Sequence, residues 1–262
     1  MSDNNIIKLP YHERQLICVV KNKEDLKSIN YETIKKLGFK IITSYEPYIL
    51  TIGKAIYDYY KSLPDSNLNI KIISYEESSV IKFPNGHPQN KIIYAGHPLV
   101  PEFYYQIADF HQFIFKHKFL ELIEVLESIG AKTIYAKCVE SNSKKYSSNI
   151  NTEGIKDVAD IDVEFGYNNQ NSKKGEFKAE YPDNNSNALS ENLVWYSSEL
   201  DWQKIVKSKM ERGMKKFSLN FEYTTDYGIN LDLKTKLSSA GFGLGGEFKE
   251  NKNTVWHFEG TF

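Results

Sequence analysis

The chain has 262 residues, enough for one large domain or two small ones. Hydrophobic residues make up 40% and charged residues 26%, the balance of a soluble globular chain with a sizeable core. A net charge of -1 and a pI near 6.6 leave no overall electrostatic pull toward nucleic acid or anionic lipid.

Tyrosine and phenylalanine are abundant, at 18 and 15 copies, which favours strands. The wealth of Asn, Lys, Ile and Tyr leads to the expectation of an AT-rich, bacterial coding sequence. Two cysteines, Cys18 and Cys138, lie inside apolar strand-like runs and read as buried free thiols in a reducing compartment. Residues 1–8 are polar and acidic, unlike a signal peptide, and no run reaches the ~18 apolar residues of a spanning helix. A cytoplasmic protein is expected.

In chain order, residues 16–20 form an apolar run suited to a buried strand. A short helix over 31–37 ends at Gly38, and 39–44 is a second strand. Residues 49–63 place Ile49, Ile52, Ile56 and Leu63 on one helical face, with Pro64 after them. One or two strands follow in 68–83, and another in 91–95, which runs into Gly96-His97-Pro98. The clearest helix starts near Pro101 or Glu102 and runs to Ile129, with Gly130 as its cap. Residues 131–139 are a strand.

Beyond it, 141–152 and 168–174 are rich in Asn, Ser and Lys and read as loops. Residues 160–167 and 175–181 alternate like the arms of a hairpin, and 183–190 is a polar loop. A helix over 199–214 would turn Leu200, Ile205 or Val206, Met210 and Met214 inward, with Ser197 or Ser198 as N-cap. From Phe217 apolar residues alternate to the C-terminus: odd-numbered to Leu237, even-numbered from Ala240. Asn251-Lys252-Asn253 is a turn between the last strands. Ile229, Leu233, Leu237, Ala240 and Leu244 also fit a helical stripe, so a short helix over 230–240 is a live alternative.

The pattern predicts an α+β fold. A mixed α/β lobe over 1–130 would abut a mainly antiparallel lobe over 131–262 with one covering helix. No linker marks the boundary, and one continuous domain fits equally.

One constellation of polar residues stands out. At 100° per residue, Ile107, Ile114, Leu122, Val125 and Ile129 share a narrow sector of the long helix. His111 and Lys118 fall in that sector, with Glu121 at its edge. A lysine on an apolar stripe needs a partner, and a histidine needs partners for both ring nitrogens. With His97 and Asp109 nearby in sequence, they make the ligand-binding candidates: His97, Asp109, His111, Lys118 and Glu121. Either Lys118 and His111 bind an anion or exchange protons, oriented by Glu121, or all belong to a structural network. The network is the commoner use of such residues, with Lys118 meeting Glu121 first. His117 lies about 120° from His111 around the helix, so these two cannot chelate one metal.

The standard chemistry-bearing motifs are missing. There is no Gly-x-x-x-x-Gly-Lys-Ser/Thr, Gly-x-Ser-x-Gly, His-Glu-x-x-His or Cys-x-x-Cys. The glycine-rich 241–246 stretch is followed by strand-like rather than helical sequence, unlike a nucleotide loop. No cofactor, metal or nucleic-acid partner is expected. The leading expectation is a non-enzymatic binding or effector protein working through protein partners or self-assembly. Membrane action through the C-terminal amphipathic β segments would need a conformational change. The competing expectation is a small-molecule enzyme or ligand sensor with a pocket near His97, His111 and Lys118.

Overall fold

In the computed structural model the described residues are 6–22, 25, 31–43, 69–140, 176–182, 188–249 and 254–262. The helix expected over 49–63, the loops at 141–152 and 168–174, the strand at 160–167 and the 251–253 turn lie outside them. The fold is α+β: among the described residues, five α-helices accompany one mixed and one antiparallel sheet. No helix among them is long and apolar enough to cross a membrane.

The chain forms two compact units, Met1–Phe110 with Tyr227–Lys249, and His111–Asp226 with Glu250–Phe262. The long helix belongs with the antiparallel sheet, and residues 227–249 return to the first unit.

In the first unit, helix α1 (Tyr11–Arg14) leads into β1 (Leu16–Val20). Every β1 side chain is fully buried, as a continuous apolar run inside a sheet must be. After α2 (Tyr31–Lys36) come β2 (Lys40–Thr43), β3 (Asn69–Ser74), β4 (Ile93–Gly96) and β5 (Tyr104–Gln106). The order is β2-β3-β1-β4-β5, with β3 parallel to β1 and β2, and β4 antiparallel to β1 and β5. Of the one or two strands expected in 68–83, one forms, β3, and residues 77–80 make a 3-10 turn.

The helix predicted to start at Pro101 or Glu102 starts instead at Phe110, as α3 (Phe110–Ser128). Residues 104–106 pair with 94–96, where the aromatic Tyr104 and Tyr105 favour a strand over a first helical turn. Gly130 follows the helix with φ +82°, as its capping role requires.

Residues 224–249 do not continue the alternating β pattern. Helix α5 (Leu231–Ser239) forms there, the helical alternative of the two readings. Asn230 caps it, its Oδ1 accepting from Leu233 N at 3.1 Å. Leu233 and Leu237, one turn apart, are buried while Leu231 is 51% exposed, so helical spacing governs and the odd-number rule fails. The glycine-rich stretch after it is backbone that lies along residues 91–93. Ile93 N donates to Gly243 O at 2.9 Å and Gly243 N to Lys91 O at 3.1 Å. A Cβ on Gly243 would sit 2.7 Å from Ile92 Cδ1, so close approach, not phosphate binding, accounts for this glycine.

The second unit is a two-layer sandwich of helices on one sheet. Strands β6 (Thr133–Glu140), β7 (Glu176–Glu180), β8 (Lys216–Tyr223) and β9 (Thr254–Thr261) are all antiparallel, in the order β7-β6-β9-β8. In β8 the odd-numbered residues are buried and the even-numbered ones exposed without exception, matching the predicted alternation. Helix α3 lays Phe115 and Phe119 on the buried face. Phe119 meets Trp256 at 5.0 Å and Phe258 at 5.1 Å between ring centroids, and Phe115 meets Phe221 at 5.5 Å.

Helix α4 (Leu200–Arg212) covers the same face with Trp202, Ile205 and Val206. The predicted inward set is corrected: Leu200 is 77% exposed and Met210 46%. The larger Trp202 sets the buried side at i, i+3 and i+4, and Leu200 lies opposite it. The N-cap is Glu199 rather than Ser197 or Ser198. Of the two cysteines only Cys18 is buried; Cys138 is partly exposed.

Candidate functional site

The five candidates fall into two groups, each held by its own unit. In the first unit, β4 delivers His97 to a turn, where its ring is completely buried. His97 Nδ1 accepts from Leu99 N at 3.1 Å and Val100 N at 2.9 Å, which leaves the ring proton on Nε2. The imidazole thus acts as a cap for the backbone of its own turn. The buried Arg14 holds the same turn from below, Nη1 donating to His97 O at 3.0 Å. Asp109 ties two segments of this unit together. Its Oδ2 accepts from Gln106 Nε2 and its Oδ1 from Lys249 Nζ, both at 2.6 Å.

In the second unit, α3 carries His111, Lys118 and Glu121. All three are withdrawn from solvent, as the apolar sector predicts: His111 and Glu121 are buried and the Lys118 side chain is 12% exposed. Their partners differ from those expected. His111 Nδ1 pairs with the buried Tyr223 hydroxyl at 2.9 Å, fixing the helix to β8.

Lys118 pairs with Glu199, not Glu121. The Nζ lies 2.6 Å from Glu199 Oε1, and 5.6 Å and 5.7 Å from the ring centres of Trp195 and Phe221. Glu121 is engaged elsewhere. Its Oε1 accepts from Trp195 N at 2.6 Å and Tyr196 N at 2.8 Å, and its Oε2 from Val194 N at 2.8 Å. Three successive N–H groups converge on one carboxylate, the arrangement of a backbone anion nest. Burial still outweighs those bonds and holds the Glu121 carboxyl above its ordinary value.

The cluster therefore fastens residues 194–199 to α3 at two points one helical turn apart. Glu199 was legible only as a helix-start residue, because nothing local links it to Lys118 across 81 positions.

His117, set aside as a metal ligand, joins the same tether. Trp195 Nε1 donates to its Nδ1 at 3.2 Å. Burial holds this imidazole below its ordinary value of 6.5, with the Glu124 carboxylate only partly offsetting that. A folded value below the unfolded one means that the stability linked to neutral His117 is complete above pH ~6.5 and lost as pH falls through the folded value. Protonation at Nδ1 also removes the acceptor for the indole N–H. The urea midpoint should fall between pH of about 7.5 and 5, and less steeply in His117→Asn, which keeps an acceptor but cannot take up a proton. Equal slopes in the two proteins would remove His117 from this account.

Among the described residues no group of three His, Cys, Asp or Glu side chains could hold a metal ion. Comparison with protein-family models, with curated proteins and with solved structures finds no match.

Proposed function

We propose that this chain is a non-enzymatic cytoplasmic binding or effector protein that acts through association with protein partners or with itself. What supports the reading is the engagement of Glu121. Both of its oxygens accept from backbone N–H groups, so the carboxylate best placed to orient Lys118 for chemistry serves to hold a loop. Lys118 likewise joins two elements through Glu199, and the Nδ1 of His97 accepts from its own turn. Side chains so used contribute to the rigidity of a scaffold. The membrane-acting form of the reading draws no support from residues 231–239, which are helical rather than the inserting strand it requires.

The competing reading, a small-molecule site at Lys118, supplies the test. Inorganic phosphate, citrate and adenosine triphosphate are each added at about 10 mM to wild type and to Lys118→Met. A ligand at 100 times its dissociation constant adds about 2.7 kcal/mol, which is several degrees in Tm for a chain of this size. The expected result is no rise that wild type shows and the variant lacks. A rise of about 4 °C or more that Lys118→Met abolishes would replace this proposal with a ligand-binding one.

A further inference from the structure

We infer that β8 is a self-association edge: it pairs antiparallel with β8 of a second copy, about a two-fold axis at Leu219. This deepens the proposed function by naming the partner, and it rests on reading the chain as a protein that works by association.

Among the described residues strand β8 ends the sheet order β7-β6-β9-β8, and all eight of its residues are in register with β9. The phase of that ladder follows from one bond. Phe262 N donates to Lys215 O at 3.0 Å, so residues of the same parity as Lys215 face β9 with their N–H and C=O groups. Phe217, Leu219, Phe221 and Tyr223 form that set. The peptide groups of Lys216, Ser218, Asn220 and Glu222 consequently point out of the edge, and their side chains are exposed as well.

Of the devices that protect strand edges, β8 has no proline, no bulge and no charge on its buried face; it is long and regular, and its charges are the exposed Lys216 and Glu222. Its exposed charges are placed for self-recognition. With the axis at Leu219, residues i and 438 minus i face each other, so Lys216 meets Glu222 of the second copy and Ser218 meets Asn220. Each of these contacts occurs twice, as a two-fold interface demands. All four residues carry outward-pointing peptide groups, so the register also satisfies the hydrogen-bond phase. Shifting it by two residues in either direction sets Lys216 opposite Asn220 or Thr224 and loses both charge pairs. Lys216 and Glu222 have no ion-pair partner of their own among the described residues.

The test is sedimentation equilibrium of the full chain, whose mass is 30.3 kDa. Wild type should approach twice that mass as its concentration rises to about 100 μM. Glu222→Lys and Lys216→Glu, each placing two like-charge pairs across the axis, should weaken the dimer about tenfold or more. The double variant Lys216→Glu/Glu222→Lys restores opposite charges only between copies, and should return to within about threefold of wild type. Asn220→Pro removes one outward N–H without touching the β9 ladder and should leave a folded single chain, checked by circular dichroism. A wild type that stays at one chain mass, or a double variant no better than the singles, overturns the inference. Either result would leave the ligand panel above to decide the broader reading by itself.

Discussion

Replacing Glu121 with alanine should lower the unfolding free energy by about 3 kcal/mol, read as a drop in the urea midpoint at unchanged slope. The truncation takes the acceptor from the N–H groups of Val194, Trp195 and Tyr196 together. An orphaned buried donor costs about 1–3 kcal/mol, and water entering the vacated space offsets part of the sum. Glu121→Gln should cost far less, about 1 kcal/mol: one oxygen remains to accept, and a neutral amide escapes the desolvation that burdens the buried carboxylate. That desolvation has a sign that can be checked. The folded carboxyl value is raised, so the stability tied to its protonated form is present below about 4.5 and is lost as pH rises through the folded value. The glutamine variant should lack this dependence. An alanine variant within 1 kcal/mol of wild type would mean that residues 194–196 find other acceptors.

The pair of Glu121 and Lys118 illustrates what the sequence could and could not show. Helical spacing located both residues in or beside the apolar sector, and both are withdrawn from solvent. The same spacing suggested that they pair with each other, since i and i+3 are neighbours on a helix. Glu199 and the 194–196 backbone prevailed because a desolvated charge takes the partner that also satisfies its remaining hydrogen-bonding capacity. Such partners lie more than seventy residues away, and periodicity carries no information at that range.

The strands were legible in proportion to how many of their faces are buried. β1 is covered on both faces and reads as an unbroken apolar run, while β8 is covered on one and reads as strict alternation. Residues 231–239 defeated the same rule because Ile229, Leu233 and Leu237, spaced by four, satisfy periods of 2 and 3.6 alike. The deciding signal was local. Asn230 is a good N-cap, and Leu233 and Leu237 are one helical turn apart. Tyr104 to Gln106 failed in the opposite sense, since a three-residue strand is too short to leave a pattern and is specified by pairing with β4.

Gly260→Ala should destabilise by about 3 kcal/mol although it adds a single methyl group at a position with ordinary strand pairing. Gly260 sits in β9 on the side of Trp256 and Phe258, flanked by Ile134 of β6 and Phe217 of β8. A Cβ there would overlap the carbonyl oxygen of Thr133 and lie 2.6 Å from Phe217 Cζ. The second contact is with a side chain, which can rotate or be trimmed. The first is with backbone already committed to the β6–β9 ladder, so relieving it must displace a strand. The two contributions are separable. Phe217→Leu introduced into Gly260→Ala should recover only a minor part of the loss, because it leaves the Thr133 oxygen where it is. Full recovery would show that the ring alone sets the limit, and a Gly260→Ala protein within about 0.5 kcal/mol of wild type would show that the strands part more easily than their packing implies. The expected outcome ties the apolar face to the edge strand. The Phe217 ring closes on a cross-strand partner with no side chain, and that close seat goes with the burial of a large aromatic at the margin of the sheet, where β8 must stay regular to present its outer peptide groups to a second copy.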